Sequence, residues 1–261
     1  MKMLLAVDIG NTNITLGLYR GRRIIRQFQV PTRGYSVRRL RQGLGRDNIE
    51  EAIICSVVPK STEILTKDLK SCFGARPLII GKDIRVPIRN LYRYPRQVGQ
   101  DRLVNAYAAA QFYGTPAIVI DFGTAVTFDI VSRQKAYLGG MILPGLQMSL
   151  EALAEKTALL PKVSLDEPME FIGRETENSI LSGVIYGLAA LTDALTLKIK
   201  DKIGKEAKVI GTGGNISLMR RFCAGIEKID SGLTLKGLLT IYRLRQEAKK
   251  NTRQKIFLFY N

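Results

Sequence analysis

Leu4-Leu5-Ala6-Val7-Asp8-Ile9-Gly10-Asn11, close to the N-terminus, returns 113 residues later as Ala117-Ile118-Val119-Ile120-Asp121-Phe122-Gly123-Thr124. Both copies read as four apolar residues, an Asp, an apolar residue, a Gly and a small polar residue, followed by a returning strand. Around the first copy, alternation and β-branched content predict strands over Leu4–Asp8, Ile14–Tyr19 and Ile24–Val30. The turns Gly10-Asn11-Thr12-Asn13 and Arg20-Gly21-Arg22 join them into an antiparallel meander. Around the second, the same pattern predicts strands over 117–121, 125–131 and 136–142. The first meander leads into a helix near 36–45, a strand Ala52–Val57, a helix Thr62–Phe73 and a strand Pro77–Ile80. The second leads into helices near 145–160 and 178–202, a strand Lys208–Ile210, and helices near 215–223 and 234–248. Strands alternating with helices place the chain in the α/β class. The repeat divides it into two lobes of like topology, 1–115 and 116–261, each with a mixed sheet opened by an antiparallel β-meander and flanked by helices. Within the first lobe, Asp83–Gly99 carries prolines and no clear period, so a long loop of the functional kind is expected, ahead of a helix from Asp101 to Tyr113.

A buried strand that ends in Asp and turns through Gly sets a carboxylate beside backbone N–H groups that a side chain would otherwise obstruct. Such a turn can hold phosphate oxygens and a cation together. One Asp-x-Gly hairpin is ordinarily only a well-bonded turn. Two in register on duplicated halves carry more weight: opposed across a cleft, they would grip a polyphosphate from both sides, with Asp8 and Asp121 supplying charge for cations. Other nucleotide motifs fail. Gly81-Lys82-Asp83 lacks both the upstream glycine and the Ser/Thr of a P-loop, and Gly211-Thr212-Gly213-Gly214-Asn215-Ile216 lacks the last glycine of the dinucleotide fingerprint. The latter still follows a strand and opens a helix, so it reads either as a nucleotide contact or as a tight turn.

Composition removes several classes of chemistry. Of 261 residues, 46% are hydrophobic and none is His, which excludes serine-histidine triads, cysteine-histidine dyads, zincin-type metal sites and phosphohistidine relays. Acid and base work therefore falls to carboxylates, Lys or Tyr. The net charge of +17 suits anionic small molecules and also invites a nucleic-acid reading. Arg20, Arg22, Arg23, Arg26, Arg33, Arg38, Arg39, Arg41 and Arg46 crowd one stretch without the aromatic residues that stack unpaired bases, so a solvated basic face is the expectation. Cys55, Cys72 and Cys223 are odd in number and lack CxxC spacing, as free thiols in a reducing compartment would. Four apolar residues before Asp8 are too few for a signal sequence. The uncharged runs Ala136–Leu150 and Asn178–Thr192 contain Gly or Pro and fall short of the ~20 residues of a membrane span, so a soluble cytoplasmic protein is expected.

The duplicated hairpin resembles that of the acetate kinase, sugar kinase, Hsp70 and actin superfamily, which implies actin-like (ribonuclease H-like) lobes. Further blocks narrow the resemblance: Tyr92-Arg93-Tyr94-Pro95, Val98-Gly99-Gln100-Asp101-Arg102, Asp121-Phe122-Gly123-Thr124-Ala125-Val126-Thr127, Gly139-Gly140-Met141-Ile142-Leu143-Pro144-Gly145, Gly173-Arg174-Glu175-Thr176 and Gly211-Thr212-Gly213-Gly214. In this order they resemble the type III pantothenate kinases, which phosphorylate the 4′-hydroxyl of pantothenate with ATP in the first step of coenzyme A biosynthesis. The resemblance implies Asp101 as the catalytic base, and Tyr92, Gly99, Gln100, Asp101 and Arg102 as the pantothenate site. It implies Asp8, Ile9, Gly10, Asn11, Thr12, Asn13 and Thr124 at the ATP phosphates, and Asp121 at a monovalent cation, potassium or ammonium, with magnesium accompanying the nucleotide. Thr176 resembles a residue that reaches pantothenate from a neighbouring subunit, which implies a homodimer with composite sites; Gly183 and Gly187, four apart, suit close helix packing there or within the lobe.

The chemistry agrees with these roles. An Asp of pKa ~4 cannot deprotonate a free alcohol, but it can orient a hydroxyl and take its proton late in a loose phosphoryl-transfer transition state. A guanidinium such as that of Arg102 suits the pantothenate carboxylate or a phosphate oxygen. Plainer roles exist for the same residues: Asp101 as an acid favoured at a helix start, Tyr92 as a loop aromatic, Thr176 as a helix cap. Val126 stands where the family more often has Thr, leaving hydroxyls to Thr124 and Thr127. The tail after Gln246 is basic and then hydrophobic, and would pack on the core, cover a dimer edge or stay disordered. Two rival functions remain at this point, a catalytically idle actin-like regulator that binds nucleic acid and a kinase for another hydroxyl compound. The first lacks a helix-turn-helix or a stacking platform, and the second does not call for the Gly-x-Asp-Arg block with Tyr92.

Overall fold

The computed structural model describes residues 3–45 and 47–259, with side chains described through residue 249. Arg46 of the basic stretch, and the side chains of the hydrophobic tail, lie outside the described residues. In chain order the elements are strands β1 (Met3–Ile9), β2 (Asn13–Arg20) and β3 (Arg23–Pro31), helix α1 (Val37–Leu44), β4 (Glu51–Ser56), α2 (Pro59–Phe73), β5 (Pro77–Ile79), β6 (Arg89–Asn90) and α3 (Gln100–Phe112). They continue with β7 (Ala117–Phe122), β8 (Ala125–Val131), β9 (Ala136–Pro144), α4 (Leu146–Lys156), α5 (Thr176–Ile203), β10 (Lys208–Thr212), α6 (Ile216–Met219), β11 (Lys228–Ile229) and α7 (Leu233–Phe259). The loop expected over Asp83–Gly99 is not wholly irregular. Arg89–Asn90 pairs in parallel with β9, and Pro95–Gln97 forms one 3₁₀ turn.

The chain forms two compact units. One comprises the chain through Pro87, Gln97–Ala108 and the chain from Thr234 onward; the other comprises Ile88–Arg96 and Ala109–Leu233. The first holds a five-stranded sheet in the order β3-β2-β1-β4-β5 and the second a six-stranded sheet in the order β11-β10-β7-β8-β9-β6. Read from the opposite edge, the second is β9-β8-β7-β10-β11 with β6 added, so the sequence repeat is a repeat of topology. In both, the opening meander is antiparallel and the next two strands join in parallel.

In each sheet the strand carrying the repeated Asp lies between two neighbours, and its apolar residues fill both faces, as a central strand requires. In the first unit Leu5, Val7, Ile9, Leu16 and Leu18 pack with Leu40 and Leu44 of α1 and Leu65 and Leu69 of α2. In the second, Ile118, Ile120, Phe122 and Phe128 pack with Leu146 of α4 and Ile185, Ala189 and Ile199 of α5. Each such side chain contributes roughly 1.5–3 kcal/mol relative to exposure. Edge strand β3 is mostly exposed and carries Arg23 and Arg26, the charges that discourage pairing with another chain. Ser36 caps α1, its hydroxyl accepting from the Arg39 amide at 3.3 Å, and α2 opens on Pro59 and closes on the left-handed Gly74. Helix α5 is long and apolar enough to cross a membrane by length and composition, yet it sends Ile180, Ile185, Ala189 and Ile199 into the packed interior of its unit, as the core helix of a globular domain does.

Candidate active site

In the first unit, Asp8 stands at the end of β1 with Thr15 of β2 on one side and Cys55 of β4 on the other. The turn that follows is drawn tight by the Gly10 amide donating to the Asn13 carbonyl at 3.0 Å. Thr32 secures it from behind: its amide donates to the Thr12 carbonyl at 2.9 Å and its hydroxyl to the Gly10 carbonyl at 2.7 Å. The Ile9 side chain is buried, its carbonyl accepts from Val57 at 3.1 Å, and Asn11, Thr12 and Asn13 are exposed. The turn is thus a fixed loop with three polar residues at its rim.

Asp101 lies in the first turn of α3, where its Oδ1 accepts the Arg102 amide at 2.8 Å. Burial pushes its carboxyl above the ordinary value, while that amide and the Arg102 guanidinium oppose the rise. Gly99 leaves room for this: a Cβ there would come within 2.5 Å of the Asp101 carboxylate. Cys55 is wholly buried; burial pushes its thiol well up, and the charges of Asp8 and Asp101 both add to the rise. Asp8 and Asp101, 93 residues apart in sequence, therefore bear on one thiol, and the first unit brings the turn expected to hold phosphates and the expected base into one neighbourhood. Gln100 packs its side-chain amide against Gly81, and the Arg102 side chain is buried.

In the second unit, Asp121 lies between Thr127 of β8 and Thr212 of β10, the positions that Thr15 and Cys55 hold around Asp8. This hairpin is one residue shorter. Ile9 faces Ile14 across the first turn, whereas Phe122 faces Val126 across the second. Val126 therefore occupies the inward position of Ile14, in the core, while Thr124 is exposed at the rim, so the departure at 126 removes no hydroxyl from the turn. The Thr124 carbonyl accepts from Gly145 at 3.1 Å and the Phe122 carbonyl from Asn215 at 3.0 Å. Gly213, at φ +95°, lies directly against Asp121 and Phe122. The Gly211–Gly214 segment is in this way a tight turn built around the Asp121 carboxylate, a space that a Cβ would fill.

Tyr92, also in the second unit, is half-buried. Its amide donates to Asn90 Oδ1 at 3.0 Å, and its ring sits 6.4 Å from that of Tyr137, tilted by 40°. Thr176 is the first residue of α5 and is exposed. The cap of that helix is Glu175, whose carboxylate accepts the Asn178 amide at 3.2 Å, one residue before the capping position considered for Thr176. Thus Asp8–Asn13 and Gly99–Arg102 belong to one unit, and Tyr92, Asp121, Thr124 and Thr176 to the other. Sequence reasoning missed the part played by Cys55, and also a buried pair, Asp129 and Tyr137. The signal for the latter was an Asp in the middle of an otherwise apolar strand.

The sequence model of a family described as type III pantothenate kinase matches residues 4–198. A Geobacter sulfurreducens protein named type III pantothenate kinase is 41% identical over 255 residues, covering 94% of this chain and 100% of that protein. One of the same name from Agathobacter rectalis is 38% identical over 252 residues, covering 92% of this chain and 97% of its own. Among solved structures, MreB 5 of Spiroplasma citri bound to AMPPNP matches with a TM-score of 0.52 and 10% identity over 97% of this chain and 99% of that one, a likeness of fold. The fold is actin-like, as the duplicated hairpin implied, and on the full-length identity together with the family match the chain belongs to the type III pantothenate kinase family.

Proposed function

We propose that this protein transfers the γ-phosphoryl group of ATP to the 4′-hydroxyl of pantothenate, the first step of coenzyme A biosynthesis. The observation that carries the reading at the site is that a desolvated Asp101 and Asp8, which opens the turn, both bear on Cys55, inside a chain that is 41% identical over 94% of its length to a type III pantothenate kinase. Asp8–Asn13, in the half 1–115, and Thr124, in the half 116–261, bind the ATP phosphates. Arg102 with Tyr92, Gly99 and Gln100 receives pantothenate.

In the transfer, the hydroxyl oxygen forms a bond to the γ-phosphorus as the bond to the bridging oxygen of ADP breaks, and the hydroxyl proton passes to an Asp101 carboxylate oxygen. Burial supports this role, because a carboxylate held above its ordinary pKa is a better proton acceptor. Its Oδ1 is held by the Arg102 amide, which fixes the orientation of the group. Most of the rate enhancement in such a reaction is positioning and charge stabilisation, so the absence of His costs nothing. Asp121 offers hard oxygen to a potassium or ammonium ion, with Thr hydroxyls and backbone carbonyls at the same turn as further donors. Bound there, the monovalent cation supplies positive charge against the phosphates, as magnesium does with the nucleotide.

The protein acts as a cytoplasmic homodimer in this reading. Thr176 is exposed at the start of α5, a Cβ on Gly183 or Gly187 of the same helix would meet nothing within 4 Å, and Phe171 and Ile172 beside it are largely exposed. That open, small-residue face suits a second copy of the chain. The test is ATP-dependent phosphorylation of pantothenate by the purified protein with magnesium, in matched potassium and sodium buffers. Product that forms with potassium and not with sodium is the expected result; no product in either, from folded protein, overturns the reading.

A further inference from the structure

Asp129 is fully buried in the second unit, on β8, among Val126, Phe128, Ile130 and Val131. A carboxylate so placed is tolerable only when its oxygens are bonded, and removing a donor leaves a costly acceptor behind. Both oxygens are bonded: Tyr137 donates its hydroxyl to Oδ1 at 2.9 Å and Thr127 its hydroxyl to Oδ2 at 3.2 Å. Tyr137 is itself wholly buried and stands at the junction with the Tyr92 segment. Asn90 pairs with Tyr137 across β6 and β9, the Leu91 amide donates to the Tyr137 carbonyl at 2.9 Å, and the Tyr92 ring leans on the Tyr137 ring. At Gly139, two residues further along β9, a Cβ would meet the Tyr92 ring at 3.4 Å. Tyr92 is therefore placed by Tyr137 through backbone and ring alike, and Tyr137 is fixed by Asp129.

We propose that Asp129 is a positioning residue for the acceptor site: through the Tyr137 hydroxyl it fixes the ring against which Tyr92 is set to receive pantothenate. This rests on the reading of Tyr92 as a pantothenate contact. An apolar pair would fill the same space, but it would let the Tyr137 ring slide. The directed hydrogen bond allows one ring position, and a shift of about 1 Å at a contact residue is enough to weaken recognition of a small polar substrate.

The experiment is steady-state kinetics on Tyr137→Phe, which keeps the ring and removes only the donor, with Asp129→Asn and Tyr92→Ala alongside. Tyr137→Phe is expected to raise KM for pantothenate about tenfold, with KM for ATP unchanged and kcat within about twofold. Asp129→Asn, which keeps an oxygen acceptor for Tyr137, is expected to fall between Tyr137→Phe and the unmutated protein. Equal rises in both KM values, or none for pantothenate while Tyr92→Ala shows one, overturn the positioning role. If Tyr92→Ala leaves the pantothenate KM unchanged, it is the Tyr92 reading that fails. Should Asp129→Asn not fold, as judged by circular dichroism, Tyr137→Phe still decides the question.

Discussion

The Gly213 backbone lies so close to the Asp121 carboxylate that a Cβ at 213 would overlap Oδ1 and stand 2.6 Å from the Phe122 amide nitrogen. Residue 213 also has φ +95°, which L side chains rarely adopt. In the first unit the matching position is Ser56, whose hydroxyl accepts the Val58 amide at 3.0 Å and meets the Thr62 hydroxyl at 2.6 Å. The two halves thus close the same turn by different means, one by backbone contact and one by side-chain hydrogen bonds. Gly213→Ala is expected to destabilise the fold by about 2–4 kcal/mol, the sum of backbone strain and overpacking, as measured by urea unfolding. Retention of full stability would show that the turn can relax.

Asp101→Asn is expected to lower kcat on the order of 10²–10⁴-fold while the protein stays folded. Because burial raises the Asp101 pKa in the folded state, its contribution to stability is complete below the ordinary value of 3.8 and is lost as pH rises through the folded pKa. At neutral pH the ionised group costs stability, so Asp101→Asn should melt higher than the unmutated protein at pH 7 and lose that advantage in acid. Activity runs the other way. It needs the ionised form, so the acid limb of the kcat/KM profile should lie above the ordinary Asp range.

Asp121→Ala should abolish the response to potassium and affect the pantothenate KM far less. Titrating activity against potassium at fixed ionic strength checks this. A variant still stimulated by potassium would remove Asp121 from the cation site.

Thiol labelling should sort the three cysteines by burial. Cys55 is enclosed, with its thiol pushed well up by burial and the nearby carboxylates, and Cys223 is buried and pushed up to about 12, whereas Cys72 is only half-buried. The thiolate is the reactive form, so iodoacetamide at about pH 8 should label Cys72 alone until denaturant is added, as read by mass spectrometry.

The proposed homodimer with composite sites makes a mixing prediction. Asp101→Asn and Thr176→Arg are each expected to be inactive as homodimers. Refolded together they should regain activity, because a mixed dimer contains one site with neither change. No recovery from mixed dimers confirmed by mass would place Thr176 and Asp101 in the same subunit's site, and an active Thr176→Arg homodimer would place Thr176 in none.

Much of this protein was legible in the sequence because it depends on local rules. Asp8 and Asp121 end apolar strands before glycines, and that pattern gave both meanders, the α/β class and the repeat. Glu175, rather than Thr176, caps α5: Thr is the locally preferred type, and only the backbone path, extended at 175, puts the cap one residue earlier. Asp101 stood out by its motif, whereas the rise in its pKa depends on burial that no spacing encodes.

Sequence by itself determined the two antiparallel meanders, the helices and strands that follow them and the family resemblance, because apolar periodicity, turn residues and ordered motifs act over a few neighbours at a time. Tertiary structure alone decided that Asp8 and Asp101 bear on the same buried thiol, that Gly213 presses on Asp121, and that Tyr137 joins Asp129 to Tyr92. These relations unite residues far apart in the chain through close packing and desolvation, which are properties of the folded interior.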